Sequence, residues 1–435
     1  MKIILHEGMD RKLYNLLSDM YDPFLSAQHL KDKFQYTVFS DEHTYPIGIL
    51  SVNKGKNTFM QIALIPDQQG KDIGRLALAE LAKKTGLRRI GWTCEKNNYP
   101  SLKLLCSLGG GVTENSVKQK KKKTYEGFFY TDKPISKRLR DVAIGELERA
   151  KLLYGDWQRS VLAKRSRERM ALREYLVQKI PAFDAHSHQI TKSAFGAKLI
   201  PEKLRHLVEY KSHGCFIAER FVFGVPDCSV DLEAVNKEVM DYCREGKGRH
   251  PIAILGDKTD VEAALRAGFV GFKEHVYGQR LLKDRNGKLA MPVKSRLEQY
   301  AKIARTGSFL ILHAGPNVVE RVKVMLKKTP QLRILLAHLG SPMDHQKPWG
   351  DVLGEIDALK DFQNVWFDIS AVPETSVIEK ALSLVPLDRI LWGSDFPYDM
   401  PAASLYRLAG CAKVPMDVIE KILSLNADRL IESKK

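Results

Sequence analysis

From Pro181 to the C-terminus one cadence recurs eight times, a short apolar run followed by a stretch of helix length. The runs are AFDAHSH, RFVFGVPD, IAILGDK, FVGFKEH, FLILHAG, RILLAHLG, VWFDISA and RILWGSD, spread over about 255 residues. Eight strands alternating with helices at this length predict an α/β fold of one kind, a (β/α)8 TIM barrel. The whole chain of 435 residues exceeds one such domain. A second unit is therefore expected ahead of the barrel.

In a barrel of this kind the chemistry sits at the C-terminal ends of the strands, and polar residues fall there. His186 and His188 close the first run, Lys273 and His275 the fourth, His313 the fifth, His338 the sixth and Asp395 the eighth. Residues two apart on a strand share a face, so both pairs can turn toward the mouth. A lone histidine in an apolar run is ordinarily a hydrogen-bonded structural residue. Five histidines and an aspartate gathered at strand ends instead suit a metal, because imidazoles with a carboxylate make a zinc site that keeps a position open for water.

The set resembles the amidohydrolase superfamily, and within it the amidohydrolase-2 branch of carboxymuconate-semialdehyde decarboxylase-like enzymes, hydratases and lactone hydrolases. The resemblance covers roughly residues 181 to 432 and rests on DAHSH, GFKEH, ILHAG, ILLAHLGSP, LWGSDFP and LNADRL. It implies that His186, His188, His313 and Asp395 bind a catalytic divalent ion, zinc foremost, with iron or manganese as alternatives. His338 would then hold or deprotonate the water. A cation held by neutral imidazoles lowers the pKa of bound water from about 15.7 to ~7, and a neighbouring imidazole or carboxylate takes the proton. Hydrolysis of an amide, ester or lactone follows. In decarboxylating relatives the nucleophile adds to a substrate double bond and carbon dioxide leaves; the sequence does not separate these outcomes, nor hydration.

Lys273 has two readings. In two-metal members of the superfamily a carboxylated lysine at the end of the fourth strand bridges the ions, and Lys273 is placed to do so. The reading adopted is one metal, with Lys273 and His275 contacting an anionic group of a small-molecule substrate. Glu274 should face away from the mouth. Arg220, Lys347, Tyr398 and Asp399 fall on or near predicted mouth loops and read as solvated.

Ahead of the barrel, FMQIALIPDQQGKDIGRLALAELAKKTG reads as strand, turn and amphipathic helix, with Gln69, Gly70, Lys71 and Gly74 crowded at the turn. Such a turn offers backbone N–H groups to a pyrophosphate. Downstream, Asn98, Ser101, Leu104 and Leu108 recur at helical spacing. Together the segments look like the GNAT (N-acetyltransferase) family over about residues 1 to 131. That resemblance implies an acetyl-CoA or other acyl-CoA site at Gln69, Gly70, Lys71, Gly74, Asn98 and Ser101. Asp72 stands where the family has its first motif glycine, Gln61 where a glutamate base often sits, and Leu105 where a tyrosine often protonates the thiolate. These departures weigh against acyl transfer and leave a sensor, lid or dimerisation module as the other reading.

The organisation expected is thus a GNAT-like domain at 1–135, a basic amphipathic helical connector at 136–180 and a metal-dependent barrel at 181–435. The connector follows the lysine run Lys118 to Lys123 and contributes to a net charge of +17. A basic field attracts anionic partners, and a polyanion-binding protein is the rival from another class. No RNA-binding aromatic motif or zinc finger accompanies the charge, so nucleic acid ranks below a small-molecule substrate, and self-association is left open. Six scattered cysteines without a CxxC pair read as reduced thiols. No apolar run approaches the ~20 residues of a membrane span, and the start is too short in apolar residues for a signal sequence, which together read as a cytoplasmic protein.

Overall fold

A computed structural model describes residues 1–21, 33–53, 58–69, 71–95, 99–113, 117, 124–131, 133–164, 166–192, 210, 214–225, 230–275, 294–313, 317–341 and 348–432. Gly70, Asn98, Lys347 and the run Lys118 to Lys123 lie outside the described residues. The chain divides into two compact units, Met1–Leu176 and Val177–Lys435. Among the described residues no helix is long and apolar enough to cross a membrane.

The first unit carries a mixed sheet in the order β1-β2-β3-β4-β5-β7-β6. Its strands are β1 Ile3–Glu7, β2 Lys33–Ser40, β3 Gly48–Asn53, β4 Thr58–Leu64, β5 Arg89–Glu95, β6 Gly111–Val112 and β7 Thr124–Tyr130. Every ladder is antiparallel except β4 with β5, which is parallel and registered at Thr58↔Gly91. Helix Ile73–Thr85 buries Ile73, Ala77, Leu78 and Leu81 on one stripe, the spacing of an amphipathic helix on a core. It ends at left-handed Gly86 (φ 67), whose N–H donates to Ala82 O. A Cβ on Gly74 would stand 3.0 Å from a Leu104 methyl, so glycine here lets the helix lie against helix Tyr99–Ser107. The basic segment forms two helices, Lys137–Lys164 and Ser166–Val177. Ala143, Ala150, Leu172 and Leu176 are buried, whereas Ile144, apolar in the sequence pattern, is 44% exposed.

The second unit is a sheet of eight strands in sequential order. They are β8 Ala182–His188, β9 Ile217–Phe223, β10 Arg249–Ile254, β11 Gly271–His275, β12 Phe309–His313, β13 Arg333–Leu336, β14 Val365–Asp368 and β15 Ile390–Leu391. All seven ladders are parallel, and each of the eight apolar runs supplies one strand. The ends meet at a seam where Ala185 N–H donates to Trp392 O at 3.0 Å, Asp395 N–H to His186 O at 2.7 Å and His188 N–H to Phe396 O at 2.8 Å. The result is the barrel expected from the sequence.

Residues of every barrel strand but β11 pack as one cluster, among them Phe183, Phe221, Ile254, Phe309, Leu335 and Trp366. Burying each large apolar side chain contributes roughly 1.5–3 kcal/mol. The filled interior leaves one place for polar groups, the layer above it at the strand ends. Glu274 turns outward as expected and is buried against the helices, with its carboxylate 3.1 Å from Arg296 Nε, 3.7 Å from Arg321 and accepting from the Tyr300 hydroxyl. Arg220 departs from expectation. It is not on a loop but in β9, buried, with its guanidinium 3.7 Å from the Tyr210 ring centroid and donating to the Tyr242 hydroxyl and Ser187 Oγ. Aromatic stacking and hydroxyl acceptors let this cation leave water.

Candidate metal centre

Seven of the singled-out side chains occupy the layer above the core. His186, Lys273, His313 and Asp395 are at most 2% exposed, and His188 and His338 at most 5%. His186, His188 and Asp395 bring one ligand atom each to within 4.8 Å of one another. The histidines form an arc, with ring centroids 5.5 Å apart for His188 and His186, 4.6 Å for His186 and His338, 4.8 Å for His338 and His313, and 4.0 Å for His313 and His275.

Local backbone aims two of these groups. His338 (φ 54), Leu339 (φ 57) and Gly340 (φ 81) are consecutive left-handed residues beyond β13, and Asp395 (φ 59) is left-handed beyond β15. Each non-glycine residue in that region costs about 1–3 kcal/mol, a strain found where a side chain must be directed to a site. Asp184 braces the seam from behind. It is fully buried and accepts from His186 N–H, Ser394 N–H, Ser394 Oγ and the Tyr210 hydroxyl.

Hydrogen bonds fix the imidazole tautomers. His186 Nδ1 is 2.9 Å from Asp368 Oδ2, His188 Nδ1 is 3.2 Å from Gly224 O, and His338 Nδ1 is 3.0 Å from Ser370 O. A carboxylate or carbonyl oxygen only accepts, so each Nδ1 carries the proton and each Nε2 presents a lone pair. The lone pairs of His186 and His188 then face Asp395 Oδ1 at 3.3 and 3.4 Å, acceptor against acceptor. Both Asp395 oxygens, His313 Nε2 and His338 Nε2 are buried without a hydrogen-bond partner. Buried acceptors left facing one another are costly unless a cation lies among them.

The electrostatics agree with that reading. Burial, then the Lys273 charge, holds His188 and His275 down to about 3, and burial likewise keeps His186 and His313 well below the ordinary imidazole range. Burial lowers Lys273 to about 8 against the pull of Asp368 and Asp395, and raises Asp395 to about 6. Neutral imidazoles beside a carboxylate are the donor set of a borderline divalent ion. The residues therefore fit a metal: His186, His188 and Asp395 form one group with ligand atoms within 4.8 Å of one another, and His186, His338 and Asp368 form a second.

Lys273 Nζ lies 3.1 Å from His186 Nε2 and 4.7 Å from the centroid of Phe223. Tyr398 is 55% exposed, with its ring 5.3 Å from that of His188, and Asp399 pairs with Arg407. In the first unit Gln69 Nε2 donates to Leu64 O, Lys71 is exposed and Ser101 lies in the first turn of helix Tyr99–Ser107. Asp72 is left-handed at the start of helix Ile73–Thr85, and its carboxylate pairs with Arg75. The sequence reading missed Asp368, Ser370, Asp184 and Phe223. Asp368 lies within the seventh run and ends β14, so the strand-end rule that found the histidines reaches it once the end of the strand is known.

The second unit is thus a parallel eight-stranded barrel with a buried His/Asp group at its strand ends that could hold a metal ion. Residues 221–432 match the family model described as amidohydrolase (Amidohydro_2), so the second unit contains an amidohydrolase-family domain. No curated protein matches the chain in sequence. Similar solved structures include 2,6-dihydroxybenzoate decarboxylase from Rhizobium, at 15% identity and TM-score 0.44, covering 59% of this chain and 100% of that one. A dihydroxybenzoic acid decarboxylase from a Polaromonas species, with bound manganese and 2-nitroresorcinol, has 16% identity and TM-score 0.43, covering 59% and 98%. A "probable 2-pyrone-4,6-dicarboxylic acid hydrolase" from Acinetobacter baumannii has 14% identity and TM-score 0.45, covering 58% and 100%.

Proposed function

We propose that the Val177–Lys435 unit is a metal-dependent hydrolase of a small anionic ester, lactone or amide. The observation that carries the reading is the pair of imidazole lone pairs set against Asp395 Oδ1 at 3.3 and 3.4 Å, an arrangement that a divalent ion among them reconciles, beside the Lys273 Nζ that stands 3.1 Å from His186 Nε2. His186, His188, His313 and Asp395 are the proposed holders, with zinc, iron or manganese as the ion. When bound, the ion supplies Lewis acidity that polarises a substrate oxygen and acidifies water.

The chain's own groups do the rest. His338 takes a proton at Nε2 while its Nδ1–H stays on Ser370 O, so the ring keeps its orientation as it charges. Asp395 faces the same space and steadies the cationic ring. Lys273 and His275 hold the anionic group of the substrate, and Phe223, against the rings of His186 and His188 at 5.0 and 4.7 Å, keeps water from that side.

A second reaction is favoured by the same wall. Phe223 beside Lys273 strips water from a carboxylate held there, which assists its loss as neutral carbon dioxide, so non-oxidative decarboxylation is the competing reading, with hydration a variant of it. Metal-reconstituted full-length protein assayed on lactones, esters, amides and unsaturated acids separates them. Acid release without carbon dioxide supports hydrolysis, carbon dioxide release replaces it with decarboxylation, and inactivity throughout counts against both.

For Met1–Leu176 we propose a GNAT-like fold without acyl transfer. The single parallel pair β4/β5, connected through helix Ile73–Thr85, supports the fold. Against an acyl-CoA, Asp72 sets a carboxylate where a pyrophosphate would meet the helix start, already paired with Arg75. Calorimetric titration of the full chain with acetyl-CoA should give no heat, and saturable binding in the micromolar range would contradict this.

A further inference from the structure

Asp368 is fully buried at the end of β14 and its two oxygens serve different histidines. Oδ2 accepts from His186 Nδ1–H at 2.9 Å. Oδ1 accepts from His338 N–H at 3.0 Å, from Ser370 N–H at 3.0 Å and from Ser370 Oγ. The Ser370 hydroxyl in turn lies 2.9 Å from His338 Nδ1, whose proton it shares with Ser370 O. One carboxylate thus fixes the tautomer of an imidazole in the metal cluster and, through three donors, the left-handed turn that aims His338.

We infer that Asp368 is a positioning residue that sets His186 as a lone-pair donor at Nε2 and His338 as a proton acceptor at Nε2, both through its single carboxylate. The inference rests on the metal-site reading for its consequence but not for its geometry. A carboxylate that accepts from a ligating imidazole orients the ring and raises its basicity, and losing it typically weakens metal affinity 10- to 100-fold.

The two sides of the carboxylate make Asp368→Asn a directed test. Three donors converge on Oδ1, so the amide oxygen must stay there and the amide NH2 must face His186 Nδ1. That nitrogen then has to accept, and the ring proton moves to Nε2, where it blocks the lone pair. Ser370→Ala removes the hydroxyl relay to His338 and leaves the His186 contact intact.

Two measurements read this on full-length, metal-stripped protein. Long-range 1H–15N spectra of 15N-histidine-labelled protein give each tautomer, and Mn2+ titration followed by electron paramagnetic resonance gives affinity. We expect His186 protonated at Nδ1 in the parent and at Nε2 in Asp368→Asn, with the Mn2+ Kd raised roughly 10- to 100-fold in that variant and changed less than threefold in Ser370→Ala. A parent His186 protonated at Nε2 overturns the inference without any variant, as does an Asp368→Asn protein with the parent's tautomer and Kd. A parent that takes up no Mn2+, zinc or iron contradicts the metal reading alone, and the tautomer comparison still decides the role of Asp368.

Discussion

Gly393 faces His186 across the seam that closes the barrel, and a Cβ built on it would stand 2.6 Å from His186 Cβ, 3.0 Å from His186 N and 3.2 Å from Ser370 Cβ. The obstacle is backbone and the root of the His186 side chain, neither of which can swing aside. Gly393→Ala should therefore cost about 1–3 kcal/mol by overpacking and displace His186 from Asp395. Denaturant unfolding and metal content should fall together; a variant that folds with the parent's metal content would show that the seam tolerates the methyl group.

His338 is left-handed (φ 54), a conformation asparagine accepts more readily than other residues. His338→Asn should thus keep the backbone and the bound metal while removing the proton acceptor. Turnover should drop about 10²- to 10⁴-fold, with the metal content unchanged. Loss of the metal along with activity would instead make His338 a ligand.

The buried cluster on the outer face offers a stability test remote from the mouth. Glu274→Ala removes the buried carboxylate that Arg296 and Arg321 share, leaving Arg296 its exposed partner Asp257. Removing one partner of a buried ion network typically costs 3–5 kcal/mol, so chemical denaturation should show a loss of about that size. A loss under about 1 kcal/mol would mean that water reaches the arginines.

A pH signature comes from helix Val261–Ala267. Its N-cap Asp260 accepts from Glu262 N–H at 3.0 Å and Ala263 N–H at 3.1 Å, and these bonds hold its carboxyl below the usual 3.8. A depressed carboxyl stabilises the fold above the unfolded value and loses that contribution as pH falls through the folded one. Asp260→Ala should be the less stable protein near neutrality, with the gap closing in acid below 3.8. A gap that persists unchanged in acid would assign the cap to something other than the ionised carboxylate.

The barrel was legible because parallel strands buried on both faces read as nearly continuous apolar runs, and a charged or imidazole side chain at the end of such a run stands out. Glu274 could be placed by strand alternation alone. Asp368 was not found because one carboxylate at a strand end resembles any strand end until His186 and His338 are seen bonded to it. Arg220 was misplaced for the opposite reason. A charged residue reads as exposed, and the aromatic partners that bury it, Tyr210 and Tyr242, are distant in sequence. The tautomers of His188 and His338, on which the metal reading also turns, depend on Gly224 O and Ser370 O, backbone groups that carry no signal in the sequence.

The central claim is that His186 and His188 hold a divalent ion against Asp395. Elemental analysis of purified full-length protein beside a His186→Ala/His188→Ala double variant tests it most directly. The account predicts about one zinc, iron or manganese ion per chain in the parent and almost none in the variant. Equal metal content in the two proteins, or none in the parent after metal-replete expression, would contradict it.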